Sequence, residues 1–208
     1  CWRGLAPMDI GRTAVEAWGD GTRVGVFPMS DDTVYYYLLK VTPQGRPAPV
    51  WPALREEFTA YLGHGVCGDL VASLPDTPPF HHDLLELSRH EWGVPRAILL
   101  GDAAHAMTPN VGQGAAMAIE DALVLARVLD DGVDGALLRY RTLRAPRVRE
   151  IASRARQFGQ MALMRGRLAT GARAAMFRAT PQRYYDESWR TMIGGGVDLV
   201  GSLGSSGS

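Results

Sequence analysis

The sequence predicts an α+β fold, and three observations carry that expectation. Residues 13–41 hold three β-rich runs separated by short turn signals. Beyond Gly114 the chain reads as helix almost to its end. Between them lie a proline-rich link, two short helical segments and two strand candidates, with no internal repeat. At 208 residues the chain can bury a substantial core, as one domain or two small ones.

The strands come first. Thr13-Ala-Val-Glu-Ala-Trp18, Thr22-Arg-Val-Gly-Val-Phe27 and Thr33-Val-Tyr-Tyr-Tyr-Leu-Leu-Lys-Val41 are rich in β-branched and aromatic residues. The turns Gly19-Asp-Gly21 and Ser30-Asp-Asp32 join them into an antiparallel meander. Alternation puts Arg23, Gly25 and Phe27 on one face and Val24 and Val26 on the other. A link from Pro43 to Pro52 leads to helices over about residues 53–62 and 66–74, then a loop over 75–79. Strand candidates near residues 83–87 and 96–100 flank a turn at Trp92-Gly-Val-Pro95.

In the helical half, Ala115, Ile119, Ala122, Leu123, Ala126 and Leu129 form one apolar stripe at helical spacing. Asp130-Asp-Gly-Val-Asp134 breaks that helix, and Asp134 suits the N-cap of the next. Pro146 suits the first turn of a further helix reaching Met164. Shorter helices follow over residues 168–178 and 183–192, and the Gly/Ser-rich residues 201–208 read as a flexible tail.

Bulk chemistry narrows the function. Lysine plus arginine balance aspartate plus glutamate at 22 each, so no basic excess favours nucleic acid. No apolar run approaches the roughly 20 residues that span a bilayer. Cys1 and Cys67 have neither disulfide-framework nor metal-site spacing, which fits a reduced, cytoplasmic setting. The chain begins at Cys-Trp-Arg without an initiator methionine, which suggests a piece of something longer.

Most candidate sites reduce to structural roles. Gly63-His-Gly-Val-Cys-Gly68 matches the dinucleotide fingerprint literally, but a helix rather than a strand precedes it. Gly63 then reads as a helix C-terminal glycine. The adjacent His81 and His82 point to opposite faces of an extended segment and cannot easily chelate one ion. Ser30, Ser73 and Ser88 lack the strained hydrolase elbow, and the pair Asp102 and His105 has no nucleophile at a recognised spacing. Arg139, Arg141, Arg144, Arg147 and Arg149 read as solvated helix faces, with phosphate contact as the minor alternative.

One stretch resists that treatment: Gly101-Asp-Ala-Ala-His-Ala-Met-Thr-Pro-Asn-Val-Gly-Gln-Gly-Ala-Ala-Met-Ala-Ile-Glu-Asp121. The apolar run Ala97-Ile-Leu-Leu100 before it reads as a buried strand. Asp102, which reads as buried, follows the strand's carboxyl end, where open α/β sheets place ligands. A carboxylate there can accept hydrogen bonds from ribose or ribitol hydroxyls. Gly112 and Gly114 let backbone approach a ligand closely and open a helix whose N-terminus favours an anion or an electron-rich carbonyl. Pro109 stiffens the loop between acid and helix.

These residues resemble the second FAD-binding motif of the class A FAD-dependent monooxygenases, the flavoprotein aromatic hydroxylases. The pattern stands here as Gly101-Asp102-Ala103-Ala104-His105, Pro109, Gly112-Gln113-Gly114 and Glu120-Asp121. Trp2-Arg3-Gly4, Phe27-Pro28-Met29 and Tyr35-Tyr36-Tyr37 are similar to that family's substrate-domain sheet. Tyr140 through Arg149 is similar to its Tyr-x-x-x-Arg-x-Pro-Arg helices.

The resemblance implies part of an FAD/NAD(P)-binding α/β domain. Residues 1–83 would form a substrate-binding sheet with helices, and 84–131 the returning part of the FAD domain. Residues 132–200 would be a carboxyl-terminal helical region. Asp102 would bind the ribitol–pyrophosphate portion of FAD and Pro109 would lie beside the isoalloxazine. Backbone N–H groups around Gly112, Gln113, Gly114 and Ala115 would face the flavin N1–C2=O edge. NADPH or NADH would reduce FAD, and O2 would then give a flavin C4a-hydroperoxide that delivers one oxygen atom to an aromatic small molecule. No side chain is singled out as catalytic, because the cofactor does that chemistry. Phe27, Met29 and Tyr36 are the substrate-contact candidates.

Two departures qualify the likeness. Ala116 stands where the family often has Asn, and neither the true amino-terminal Gly-x-Gly-x-x-Gly unit nor the middle Asp-Gly motif occurs in these residues. The expected partner is therefore an amino-terminal half of the same protein, without which this chain binds FAD weakly or not at all. The alternatives are a non-catalytic binding or scaffold module of the same fold, or a flavin-dependent oxidase or halogenase.

Overall fold

A computed structural model describes residues 1–45, 51–74 and 77–205. It shows the α+β class. The chain forms two compact units: Cys1–Leu84 with Gln160–Ala175, and Leu85–Gly159 with Met176–Ser208.

The first unit is built on an antiparallel sheet of β1 (Trp2–Pro7), β2 (Val15–Trp18), β3 (Thr22–Pro28), β4 (Thr33–Lys40) and β5 (Phe80–His81). Their order across the sheet is β2-β3-β4-β1-β5. The meander is present, with Val26 opposite Tyr36 and Phe27 opposite Tyr35. Side chains alternate across the pleat. Val24, Val26, Val34, Tyr36 and Leu38 are fully or almost fully buried, packed with Leu54, Phe58, Cys67 and Leu70. Leu54 lies on α1 (Trp51–Glu57), Phe58 caps a 3-10 turn (Thr59–Tyr61), and Cys67 and Leu70 lie on α2 (Gly65–Ser73).

The opposite face carries Phe27, whose ring lies 6.1 Å from Tyr35 and 5.9 Å from Tyr37. Arg23, bonded to Glu16, sits 5.3 Å from the Tyr37 ring centroid. Gly63 follows the 3-10 turn at φ 74°, a helix-ending conformation that only glycine adopts cheaply. The 3-10 turn, not a strand, stands directly before it, so the fingerprint there is structural. Residues 46–50 of the proline-rich link and the first two residues of the 75–79 loop lie outside the described residues.

The second unit is largely helical. A two-residue hairpin, β6 (Gly93–Val94) and β7 (Ala97–Ile98), leads to α3 (Asp102–His105), a 3-10 turn at Pro109–Val111, and α4 (Gly114–Asp130). Then come α5 (Ala136–Ala162), α6 (Arg167–Ala179) and α7 (Gln182–Ser205). The core joins Trp92, Met117, Val124, Val128, Tyr140, Val148, Ile151 and Met192.

Several expectations are corrected. Residues 83–87 form no strand; Leu85 is exposed and the Leu87 N–H donates to the Ala106 carbonyl instead. The expected buried strand at 97–100 is a half-exposed hairpin arm, and the supposed Trp92–Pro95 turn contains its partner, β6. Pro146 lies inside α5 rather than opening a helix. Buried Tyr140, Arg144, Val148 and Ile151 share one face, and their packing outweighs the N–H that proline lacks. Helix α7 runs to Ser205 where a flexible tail was expected from 201, because each added residue gains a backbone bond once a helix exists.

The α4 stripe is offset from the expected one. Ile119, Leu123 and Leu129 are 64%, 49% and 42% exposed, whereas Met117, Asp121, Val124 and Val128 form the buried face. Two acids, Glu120 and Asp121, lie on that inner face because arginines from α5 meet them there.

Candidate functional site

The segment from Gly101 to Gly114 folds as a turn, a loop and a helix entry around an open cleft. Gly101 has φ 54° and ψ −137°, a backbone state essentially reserved for glycine, and its carbonyl accepts from Ala104 and His105 N–H at 2.9 Å each. Asp102 is thereby set on the first turn of α3. Pro109 starts the 3-10 turn, and Gly112 ends it in the left-handed region at φ 64°. Gln113 occupies the N-cap position of α4 without a capping side-chain bond, and Gly114 and Ala115 begin the helix.

Asp102, Met107, Pro109, Gly112, Gly114, Ala115 and Ala118 line a cleft of about 510 Å³. A Cβ built on Gly112 or Gly114 would meet nothing within 4 Å. Neither glycine is therefore required by packing; Gly112 serves its left-handed backbone and its N–H donates to the Pro109 carbonyl, whereas from Gln113 onward the N–H groups of this helix N-terminus are free to face a ligand. Among the described residues the Asp102 carboxylate has no hydrogen-bond or ion-pair partner, and it is exposed rather than buried. It is an acceptor left open at the cleft.

The buried acid is Asp121. Its Oδ2 accepts from the Gly101 N–H at 2.8 Å and from His105 Nε2 at 2.6 Å, and its Oδ1 accepts from Arg144 Nε at 2.7 Å. Burial of Asp121 works against its charge, but hydrogen bonds from His105, Gly101 and Arg144 outweigh it and hold the carboxyl below its ordinary value. His105 therefore pairs with Asp121, not Asp102, and its ring lies 5.7 Å from Trp92. Arg144 also donates to Glu120 Oε2 at 2.6 Å and to the Met117 carbonyl at 3.2 Å. Arg147 binds Glu120 and the Met192 carbonyl of α7. Arg139 donates to the Val128 carbonyl in α4 and to the Gly132 carbonyl just beyond that helix.

Three of the five expected solvated arginines are thus tied into the fold, while Arg141 and Arg149 are exposed as expected. Asp121 and Arg144 were missed as a pair. The available signal was a charge on each apolar helical stripe: Asp121 among Met117, Val124 and Val128, and Arg144 among Tyr140, Val148 and Ile151.

Of the expected cofactor residues, Asp102, Pro109, Gly112, Gly114 and Ala115 meet at one cleft, Gly101 anchors the turn behind it, and Gln113 does not line it. The substrate candidates are not brought together. Tyr36 is 1% exposed on the core face and lies across Gly4, so it is a packing residue. Phe27 is on the opposite face and Met29 lies just beyond β3, exposed. His81 stacks on Trp2 at 4.7 Å, and no metal-capable cluster occurs among the described residues.

The FAD binding domain family matches residues 19–155. This chain belongs to that family. The aurachin C monooxygenase/isomerase of Stigmatella aurantiaca is 32% identical to this FAD binding domain chain over 185 residues, 85% of this chain and 48% of that protein. An FAD-dependent urate hydroxylase of Klebsiella pneumoniae is 32% identical over 216 residues, 98% of this chain and 54% of that protein. The solved structure of Klebsiella pneumoniae HpxO complexed with FAD and uric acid aligns with a TM-score of 0.79 at 26% identity, covering 92% of this chain and 51% of that one. The FAD binding domain chain thus spans about half the length of the relatives it matches. No helix among its described residues is long and apolar enough to cross a membrane.

Proposed function

We propose that this chain supplies the ribitol- and ring-binding part of the FAD site in a monooxygenase that acts on an aromatic small molecule. The observation that carries the reading is the single cleft at which Asp102, Pro109, Gly112, Gly114 and Ala115 meet, with both glycines open. The residues fit the group. Asp102 would accept hydrogen bonds from ribitol hydroxyls with a carboxylate that has no competing partner. The N–H groups at the start of α4, from Gln113 through Ala115, would hold the electron-rich N1–C2=O edge, which a helix N-terminus stabilises, while the Gly112 N–H is taken by the Pro109 carbonyl at 3.0 Å. Gln113 contributes through its backbone alone. Pro109 would shape the ring side of the cleft and keep the loop stiff as water is excluded.

When bound, FAD reduced by NADPH or NADH would supply the oxygen activation, delivering one atom of O2 to the substrate ring. Phe27, with its aromatic neighbours Tyr35 and Tyr37, and Met29 remain the candidates for substrate contact; burial removes Tyr36.

The exposed α4 stripe supports the expectation of a second part of the same protein. Ile119 and Leu123 are apolar and largely exposed, and the matched relatives are about twice as long. The protein expressed from its complete reading frame should carry flavin absorbance in the visible region. Asp102→Ala should weaken FAD binding by about tenfold or more, read by flavin fluorescence titration. A protein that holds no flavin, or an Asp102→Ala variant with parental affinity, would sink the reading.

A further inference from the structure

We propose that Asp121 and His105 are positioning residues of the cofactor site, holding both ends of the Gly101–His105 turn so that the Asp102 carboxylate faces the cleft. This rests on the reading of Asp102 as the acceptor for FAD hydroxyls.

Helix α3 has only four residues, Asp102–His105. A helix that short does not hold itself, because nucleation costs more than one turn of hydrogen bonds returns. Its orientation is imposed from outside. At the entry, the Gly101 N–H donates to Asp121 Oδ2 at 2.8 Å. At the exit, His105 Nε2 meets the same oxygen at 2.6 Å. With Asp121 ionised, that ring nitrogen carries the proton and donates. One carboxylate oxygen thus closes the turn from both ends.

The carboxylate is itself fixed. Arg144 Nε donates to Oδ1 at 2.7 Å, and Arg144 is fully buried, with its other nitrogens on Glu120 and the Met117 carbonyl. Asp102 lies between the two anchored residues, exposed and lining the cleft. A rotation of the turn would move that acceptor without disturbing the bulk of the core.

A buried ion cluster that only stabilised the fold would make a different set of predictions, and a mutant cycle separates the two. In the protein expressed from its complete reading frame, FAD dissociation constants are measured by fluorescence titration, at a temperature well below each variant's melting point. His105→Leu removes the anchor and should weaken FAD about tenfold. His105→Gln places an amide N–H near the position of Nε2 and should stay within about threefold of the parent. His105→Asn is too short to reach Asp121, carries the same expectation as the leucine variant, and decides the point if that variant does not fold.

The double variant Asp102→Ala with His105→Leu should bind no more weakly than Asp102→Ala alone, because His105 acts through Asp102. Parental affinity in His105→Leu or His105→Asn overturns the inference, as does an Asp102→Ala effect that multiplies with the His105 effect. If Asp102→Ala alone changes nothing, the cofactor reading falls and takes this inference with it.

Discussion

Arg144 is fully buried and pairs with two acids at once, Glu120 and Asp121. Replacing it by methionine keeps much of the volume but leaves Asp121 buried without its cationic partner. The expected cost is about 3–5 kcal/mol, measured by denaturant unfolding. The same pair sets an acid limb of the stability curve. A carboxyl held below its ordinary value stabilises the fold above that value, and the stability is lost as pH falls through the lower folded value. His90 acts in the same direction at higher pH, since burial, then His105 and the nearby Arg156 and Arg149, keep its imidazole below the ordinary range. The melting temperature should therefore fall as pH drops below about 6.5, and fall again below about 4. His90→Asn should flatten the upper limb alone. Cys67 offers a simpler test at this scale. Burial pushes its thiol up to about 11, so an aqueous thiol reagent at neutral pH should spare it until the protein unfolds.

Among the elements, α4 carries most of the chemistry and was the hardest to orient from sequence. Its residues are apolar around much of the circumference, so the periodicity from Ala115 to Leu129 marked a helix correctly but assigned the wrong inner face. What decided the face was charge: Glu120 and Asp121 turn inward because Arg144 and Arg147 wait on α5. Helix α7 closes over the same pair. A Cβ on Gly196 would run into Glu120 Oε1 and lie 3.1 Å from an Arg147 nitrogen, whereas one on Gly194 would meet nothing within 4 Å. Because Glu120 and Arg147 hold each other, Gly196→Ala should destabilise by about 1–3 kcal/mol in thermal melts. Gly194→Ala should instead be neutral or raise stability by up to about 1 kcal/mol, as alanine does in a helix interior.

At the scale of the whole molecule, the uncovered stripe of α4 makes a prediction that the buried face does not. Ile119→Glu should change the stability of this chain by about 0.5 kcal/mol or less, since the side chain is 64% exposed. In the protein from the complete reading frame it should lower both the melting temperature and FAD retention, if the stripe is covered there. Equal melting temperatures for the parent and variant full-length proteins would show that nothing packs on it.

Residues with a strong local signature were legible without a structure. The three-strand meander followed from β-branched and aromatic runs and the turns Gly19-Asp-Gly21 and Ser30-Asp-Asp32. The Gly101–Asp121 motif and the class of the fold were readable for the same reason: backbone conformation at glycine and proline, and alternation along strands, are local physics. Non-local partners decided the rest. Ala97–Leu100 is apolar, but only a facing strand could say whether it sits in a core or in an open hairpin, and its partner is the short β6. The acid at the strand end looked buried, yet the buried one is Asp121, nineteen residues on, because burial of a charge depends on where arginine and histidine arrive in space. Sequence alone determined that a carboxylate and two open glycines stand at a helix entry. Only the tertiary structure decided which carboxylate stands exposed and unpartnered at the cleft and which is buried under hydrogen bonds from Gly101, His105 and Arg144.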